Sequence, residues 1–449
     1  MEINKVVNVI GAGLAGCECA HILASHGVKV NLYEMKPNKK SPAHHTDLFA
    51  ELVCSNSLKS EEITNACGLL KYEMGMLGSL MMEAALATRV KAGAALAVDR
   101  DKFSEYITKK ILENKNITVI YDEVCDIEKL LGTVVIATGP LTSDTLSNNI
   151  SKIIGQEKLY FYDAAAPIIL RESIDMSVAY EKDRWHDDEK GDYLNLPMSK
   201  EEYDVFYNEL INARSADRHS FDTIENIVHF EGCMPIESMA KRGEKTMLFG
   251  PLKPVGLRKD ENHKPYAVVQ LRAENKEKTM YNMVGFQTSL AFPEQKRVFS
   301  LIPGLENAEF VRYGVMHKNT YINAPHILDY NFKLKNKVDD IYFAGQISGV
   351  EGYVESAASG LMVAYNILFG KYFEGSMFKE ETMLGALAKY IATENKNFQP
   401  MNANFGIIKQ SDTKIKDKKK RYEIYANNSL NCIKELKNEL ENIRRRLEK

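Results

Sequence analysis

Val6-Val-Asn-Val-Ile10, Gly11-Ala-Gly13-Leu-Ala-Gly16 and Cys17-Glu-Cys-Ala-His-Ile-Leu-Ala-Ser-His26 follow one another without interruption near the start of the chain. After Gly27 a second apolar run, Val28-Lys-Val-Asn-Leu-Tyr33, leads into Glu34. Read as strand, turn, helix and strand, this is a dinucleotide-binding fingerprint, and it sets the fold class. Gly11 permits the tight turn, Gly13 lets backbone approach a pyrophosphate, and Gly16 brings the helix close to the sheet. Ala12, Leu14 and Ala15 complete the turn and open the helix, whose first N–H groups face the phosphates. Glu34 is placed to accept both hydroxyls of a ribose.

Two later segments favour FAD over NAD. Thr133-Val-Val-Ile-Ala-Thr-Gly139-Pro140 reads as a buried strand running into a glycine turn. Asp340-Ile-Tyr-Phe-Ala-Gly345-Gln346-Ile-Ser-Gly349-Val-Glu-Gly352 repeats that pattern, and the small-residue run Ser356–Ala364 reads as a helix. Such a helix can bring its N-terminus close to a pyrophosphate or to the flavin itself. The expected cofactor-binding set is therefore Gly11, Ala12, Gly13, Leu14, Ala15, Gly16, Glu34, Gly139, Gly345, Gln346 and Gly352.

A chain of 449 residues is long for one core. The fingerprint pattern stops near Ala166 and resumes near Asp340. Between them lie the polar, aromatic Arg184-Trp-His-Asp-Asp188, a helix from Lys200 to Ala213 behind the cap residue Ser199, and strands Ala267–Leu271 and Tyr281–Gly285. The reading is an α/β protein: a Rossmann-type FAD-binding domain (1–165 and 336–405), interrupted by an α+β insertion domain (166–335) and followed by a basic helical tail (406–449). In that tail Ile433, Leu436, Leu440, Ile443 and Leu447 recur at three- and four-residue spacing, which predicts a short amphipathic helix packed on the body.

The apolar content is ordinary, at 45%. No run approaches the ~20 apolar residues of a bilayer span, and no secretory leader pattern opens the chain. Seven cysteines in irregular spacing do not form a disulfide framework. Together these point to a cytoplasmic chain with reduced thiols and no membrane partner. No cluster has zinc-ligand spacing, so no metal is expected, and His44-His45 reads as a hydrogen-bonding pair. The net charge of −3 does not favour a polyanion partner. Basic groups nonetheless gather at Lys414–Arg421 and Arg444–Arg446, and recur at Lys241, Arg242, Lys253, Arg258, Arg312, His317 and Lys318. They make an RNA footprint only if they share a surface.

Two cysteines stand in reactive company. Cys54 precedes the turn-forming Ser55-Asn56-Ser57, and Cys233 lies between Gly232 and Pro235 with Lys241 and Arg242 not far beyond. Hydrogen bonds and cations of this kind lower a thiol's pKa and make it a nucleophile. Cys17 and Cys19, in the first helix, read as packing residues. Cys67, Cys125 and Cys432 have no suggestive neighbours.

Over nearly its whole length the chain resembles the bacterial folate- and FAD-dependent tRNA uracil-5-methyltransferases. The stretches that carry the resemblance are Gly11–Gly16, Leu32–Met35, Pro42-Ala-His-His-Thr46, Ala50–Leu58 around Cys54, Gly93–Arg100 and Ala137–Thr142. Further along they are Phe230–Glu237 around Cys233, Phe249–Leu257, Val284–Thr288, Arg312–His317 and Phe343–Gln346. Departures fall at Tyr193–Pro197 and Lys259–His263. The resemblance implies formation of 5-methyluridine in RNA, usually in the tRNA T loop. Methylenetetrahydrofolate would be the carbon donor, reduced FAD the reductant and NAD(P)H the source of electrons. It implies Cys233 as the thiolate that adds to carbon 6 of uracil and Cys54 as the group that manages protons or guards the flavin, with the reverse assignment open. A ribosomal target, a uridine of 23S rRNA, is the nearest alternative. A wobble-uridine flavoenzyme of the glucose-inhibited-division type would be longer, with an additional helical domain. A lapsed RNA chaperone would not need both cysteines, and neither would an NAD(P)H-dependent flavin oxidoreductase. The oligomeric state is left open.

Overall fold

The structure is a computed structural model that describes residues 6–447, apart from 42, 157–158, 185–190, 217–233, 260–263, 336–339, 397 and 411–414. Cys233 therefore lies outside the described residues. The first strand, Val7–Ile10, is buried at every position and forms the centre of a five-stranded parallel sheet. Val30–Tyr33 and then Ile117–Ile120 pair on one side of it; Thr133–Ile136 and then Ile341–Phe343 pair on the other. The last strand comes from the far side of the chain, so one sheet joins segments more than two hundred positions apart. Continuous apolar strands are what a parallel sheet covered on both faces requires.

The helix Leu14–Ser25 follows the glycine turn and packs along Tyr353–Phe369. The second of these begins three residues earlier than the small-residue run suggests. The contact is too close for a side chain, since a Cβ on Gly360 would lie 2.1 Å from the Ala15 carbonyl oxygen. The small residues of this helix thus serve packing as well as the approach of its N-terminus to the cleft.

A six-stranded sheet lies between these halves in sequence, in the order Tyr180–Glu181, Tyr193–Met198, Ala267–Ala273, Met280–Met283, Ile168–Leu170, Phe310–Arg312. It has its own apolar core, in which Tyr203, Phe206, Phe286 and Phe299 are buried. Lys200–Asn212 covers it, started by a reciprocal cap between Ser199 and Glu202. A two-stranded ribbon, Leu159–Ala164 against Met316–Tyr321, runs between the two bodies.

The C-terminal helix, Lys418–Leu447, is much longer than the apolar stripe alone suggests. Asp417 accepts the N–H groups of Lys419 and Lys420, so Lys418–Arg421 of the basic run form the first turn. Ile433, Leu436 and Leu440 are buried as expected, whereas Ile443 and Leu447 are only half-buried. Among the described residues no helix is long and apolar enough to cross a membrane.

Candidate functional site

The fingerprint turn is held by its own backbone. Gly11 has φ +97° and donates its N–H to the Tyr33 carbonyl at 2.8 Å. A Cβ there would meet the Ala137 oxygen at 2.7 Å, and one on Gly16 would meet the Gly11 oxygen at 1.8 Å. Gly13 differs: a Cβ on it would have nothing within 4 Å. Its missing side chain leaves open space in front of the helix N-terminus, where no side chain caps the first turn.

That space belongs to a cleft partly open to solvent. Gly11, Ala12, Gly13, Leu14 and Ala15 form one wall and Glu34 borders it. From the second half of the chain Gly345, Gln346, Tyr353 and Ser356 close it, and Gly139 belongs to the turn between them. The buried Glu34 carboxylate accepts the N–H of Ala12 at 2.9 Å and that of Lys36 at 2.9 Å. Ala12 therefore orients the acid, leaving the outward N–H groups of the helix start for a pyrophosphate. An open glycine cradle, an uncapped helix N-terminus and an oriented acid in one cleft fit FAD.

Two expected residues stand outside the cleft lining. Gly16 lies behind the turn, and Gly352, at φ +113°, backs onto Glu355, whose Oε2 would lie 2.3 Å from a Cβ. Glu355 is wholly buried and that oxygen has no partner among the described residues.

Cys54 does not line the cleft, but Glu51 and Val53 of its loop do. Its backbone N–H donates to the Tyr353 hydroxyl at 2.6 Å, and that of Ser55 to the same oxygen at 3.3 Å. Three arginines from different elements also grip the loop. Arg100 donates to the carbonyls of Leu52 and Cys54, Arg312 to that of Val53 at 2.6 Å, and Arg272 to the Ser55 hydroxyl at 2.7 Å and the Asn56 side chain at 2.9 Å. Burial disfavours the Arg100 charge, but Glu274 at 3.0 Å outweighs it and raises the guanidinium above its ordinary value. Arg312 is pushed down, first by burial and then by the nearby Arg100. Burial likewise pushes the Tyr353 phenol up, so it stays a neutral acceptor. None of these residues stands out in a motif. Arg100 and Arg312 do close and open two of the stretches on which the resemblance rests, and Tyr353 follows Gly352.

The remaining thiols divide differently from expectation. Cys17 and Cys19 are buried, with burial raising both, as packing residues should be. Cys67 is in company after all: Lys71 approaches its sulfur to 3.4 Å one helical turn away, while burial pushes the thiol up to about 11. The i, i+4 spacing of the pair is the signal that could have found it, and both side chains also meet the Leu58 carbonyl, to which Lys71 donates at 2.6 Å. His44 pairs with Ser41 at 2.6 Å, and the backbone of His45 donates to Glu51. Among the described residues no group of His, Cys, Asp and Glu could hold a metal ion.

Comparison with known proteins bears on this geometry. Residues 6–371 match the family model described as glucose inhibited division protein A. A methylenetetrahydrofolate–tRNA-(uracil-5-)-methyltransferase, TrmFO, of Acetivibrio thermocellus is 56% identical over 436 residues, 96% of this chain and 98% of that protein. The enzyme of the same name from Listeria monocytogenes is 55% identical over 441 residues, 98% of this chain and all of that one. In fold, GidA of Aquifex aeolicus superposes with a TM-score of 0.68 at 17% identity, covering 96% of this chain and 75% of its own. The chain thus belongs to the glucose-inhibited division protein A family and, within it, to the methylenetetrahydrofolate–tRNA-(uracil-5-)-methyltransferases.

Proposed function

We propose that this chain moves a one-carbon unit from methylenetetrahydrofolate to carbon 5 of a uridine in tRNA, forming 5-methyluridine, with FAD in the glycine-lined cleft. The observation that carries the reading is the join between cleft and thiol. Tyr353 lines the cleft and at the same time anchors the Cys54 loop. When bound and reduced, FAD supplies electrons and a carrier for the one-carbon unit.

The chain's own residues would supply the rest. The Gly11–Gly16 turn and the helix behind it hold the pyrophosphate, and Glu34 holds the ribose. Carbon 5 of uracil is a weak nucleophile until a thiolate adds to carbon 6, and Cys233 is assigned that addition. Cys54, whose loop borders the cleft through Glu51 and Val53, is assigned the proton that must leave carbon 5. The uridine has to leave its stack to reach such a site, and the tRNA T loop, the usual target of the family the chain resembles, is the assigned one. NAD(P)H is the assigned source of electrons, and the cytoplasm, where tRNA and folate meet, is the assigned compartment.

The test is an assay of the flavin-loaded protein with NADPH, methylenetetrahydrofolate and either unmodified tRNA transcript or unmodified 23S rRNA, followed by nucleoside analysis. 5-Methyluridine in tRNA supports the reading. Product confined to 23S rRNA would keep the chemistry and reassign the target. NADPH oxidation without product in either RNA would contradict it.

A further inference from the structure

We propose that Arg312, acting with Arg100, holds Cys54 as a thiolate and so sets its reactivity at neutral pH. The part Cys54 plays in methyl transfer rests on the function proposed above, but the charge argument does not.

The charges around the Cys54 loop do not balance among the described residues. Among the described residues four cations, Lys36, Arg100, Arg272 and Arg312, stand on or against the Cys54 loop, and two carboxylates, Glu51 and Glu274, answer them. Glu274 is engaged by Arg100 at 3.0 Å, and Glu51 faces Lys36 at 3.8 Å. Arg272 is met mainly by the neutral oxygens of Ser55 and Asn56. Arg312 is the least satisfied. It donates to the Val53 carbonyl, and its Nε is buried with no partner among the described residues. A buried guanidinium with an unpartnered donor is costly, and an anion beside it relieves that cost. The ionisable group of the loop they grip is Cys54, whose thiol has a long contact, 3.9 Å, to the Ala164 carbonyl oxygen. Among the described residues the other titratable neighbours are Tyr353, which burial keeps neutral, and His45, which burial and Arg312 together hold below its usual value. Both Arg100 and Arg312 are favoured by negative charge on the Cys54 sulfur. By reciprocity each favours the thiolate.

Position matters as much as charge. Arg312 ends the edge strand of the six-stranded sheet, while Cys54 belongs to the body that carries the fingerprint. The thiolate would therefore be complete only when the two bodies are docked as they are here. Arg312 is a positioning residue in this scheme, acting through Cys54.

The test measures alkylation of Cys54 by iodoacetamide against pH in the flavin-loaded full chain, read by mass spectrometry of the Cys54 peptide. Arg312→Gln and Arg312→Lys are compared with the unaltered protein, and glutathione serves as a reference thiol. The expected result is a midpoint below that of glutathione, raised by about one pH unit in Arg312→Gln and largely restored in Arg312→Lys. A merely structural role would change the limiting rate through access and leave the midpoint in place. Coincident midpoints in all three proteins would overturn the proposal. If Arg312→Gln fails to fold, a Cys54 midpoint at or above that of glutathione in the unaltered protein would overturn it equally.

Discussion

The Tyr353 hydroxyl accepts the backbone N–H of Cys54 at 2.6 Å across 299 positions of sequence. One oxygen thus ties the first residue of the helix Tyr353–Phe369 to the cysteine loop, and whatever shifts that helix shifts the thiol. Tyr353→Phe removes the acceptor and leaves two loop N–H groups without it, at a cost of about 1–3 kcal/mol. The expected outcome is a protein that retains flavin absorbance, transfers methyl groups at least tenfold more slowly and exposes the Cys54 peptide to faster hydrogen exchange.

The glycines of the fingerprint separate into two kinds by the space in front of them. Gly13→Ala puts its methyl group into the open cradle, so the chain should fold, with a melting temperature near that of the flavin-free parent, but bind little FAD. Gly16→Ala and Gly360→Ala drive a methyl group into backbone at 1.8 and 2.1 Å. Both should lose about 1–3 kcal/mol or more of stability through overpacking. Chemical denaturation of the apo-proteins distinguishes the two kinds.

Two buried acids predict an unusual pH dependence. Glu18 accepts the N–H groups of Leu80 and Met81 at the start of one helix, and Glu73 those of Met383 and Leu384 at the start of another. Burial raises each from 4.5 to about 7. The folded chain then holds more protons than the unfolded chain between about pH 4.5 and 7, so stability falls as pH rises through that window. Each group contributes up to ~3 kcal/mol of that fall. Urea midpoints measured across the window should decline, and Glu73→Gln should flatten the decline while lowering stability at the acid end, where its amide meets backbone donors.

The C-terminal helix should be part of the cooperative fold. Ser429 donates to Glu73, and Ile433 is fully buried below it. Ile433→Ala should cost about 2–5 kcal/mol. A single thermal transition at lower temperature is expected, whereas an unchanged transition would mean that the helix is not docked in solution.

How much of this was legible beforehand depends on the range of the interaction. The turn Gly11–Gly16 and the acid Glu34 are local features whose periodicity and spacing predict their geometry, and the strands on either side of the central one could be read in the same way. The C-terminal stripe is legible at Ile433, Leu436 and Leu440, but the helix reaches back to Lys418, where Asp417 caps it ahead of any apolar periodicity. Gly352 reads as a cleft residue from the glycine-rich turn it ends, whereas its φ of +113° is what requires glycine there. The clamp on Cys54 was not legible. Arg100, Arg272, Arg312 and Tyr353 come from four separate elements, and no spacing rule joins residues that only the docking of two sheets brings together.

The most direct measurement follows the carbon itself. Flavin-loaded protein is given NADPH, tRNA transcript and methylenetetrahydrofolate carrying carbon-13 in its methylene group, and the tRNA is digested to nucleosides. The expected result is labelled 5-methyluridine at the T-loop position, abolished in Cys233→Ala although FAD remains bound. Unlabelled tRNA after full NADPH oxidation, or undiminished labelling in Cys233→Ala, would contradict it.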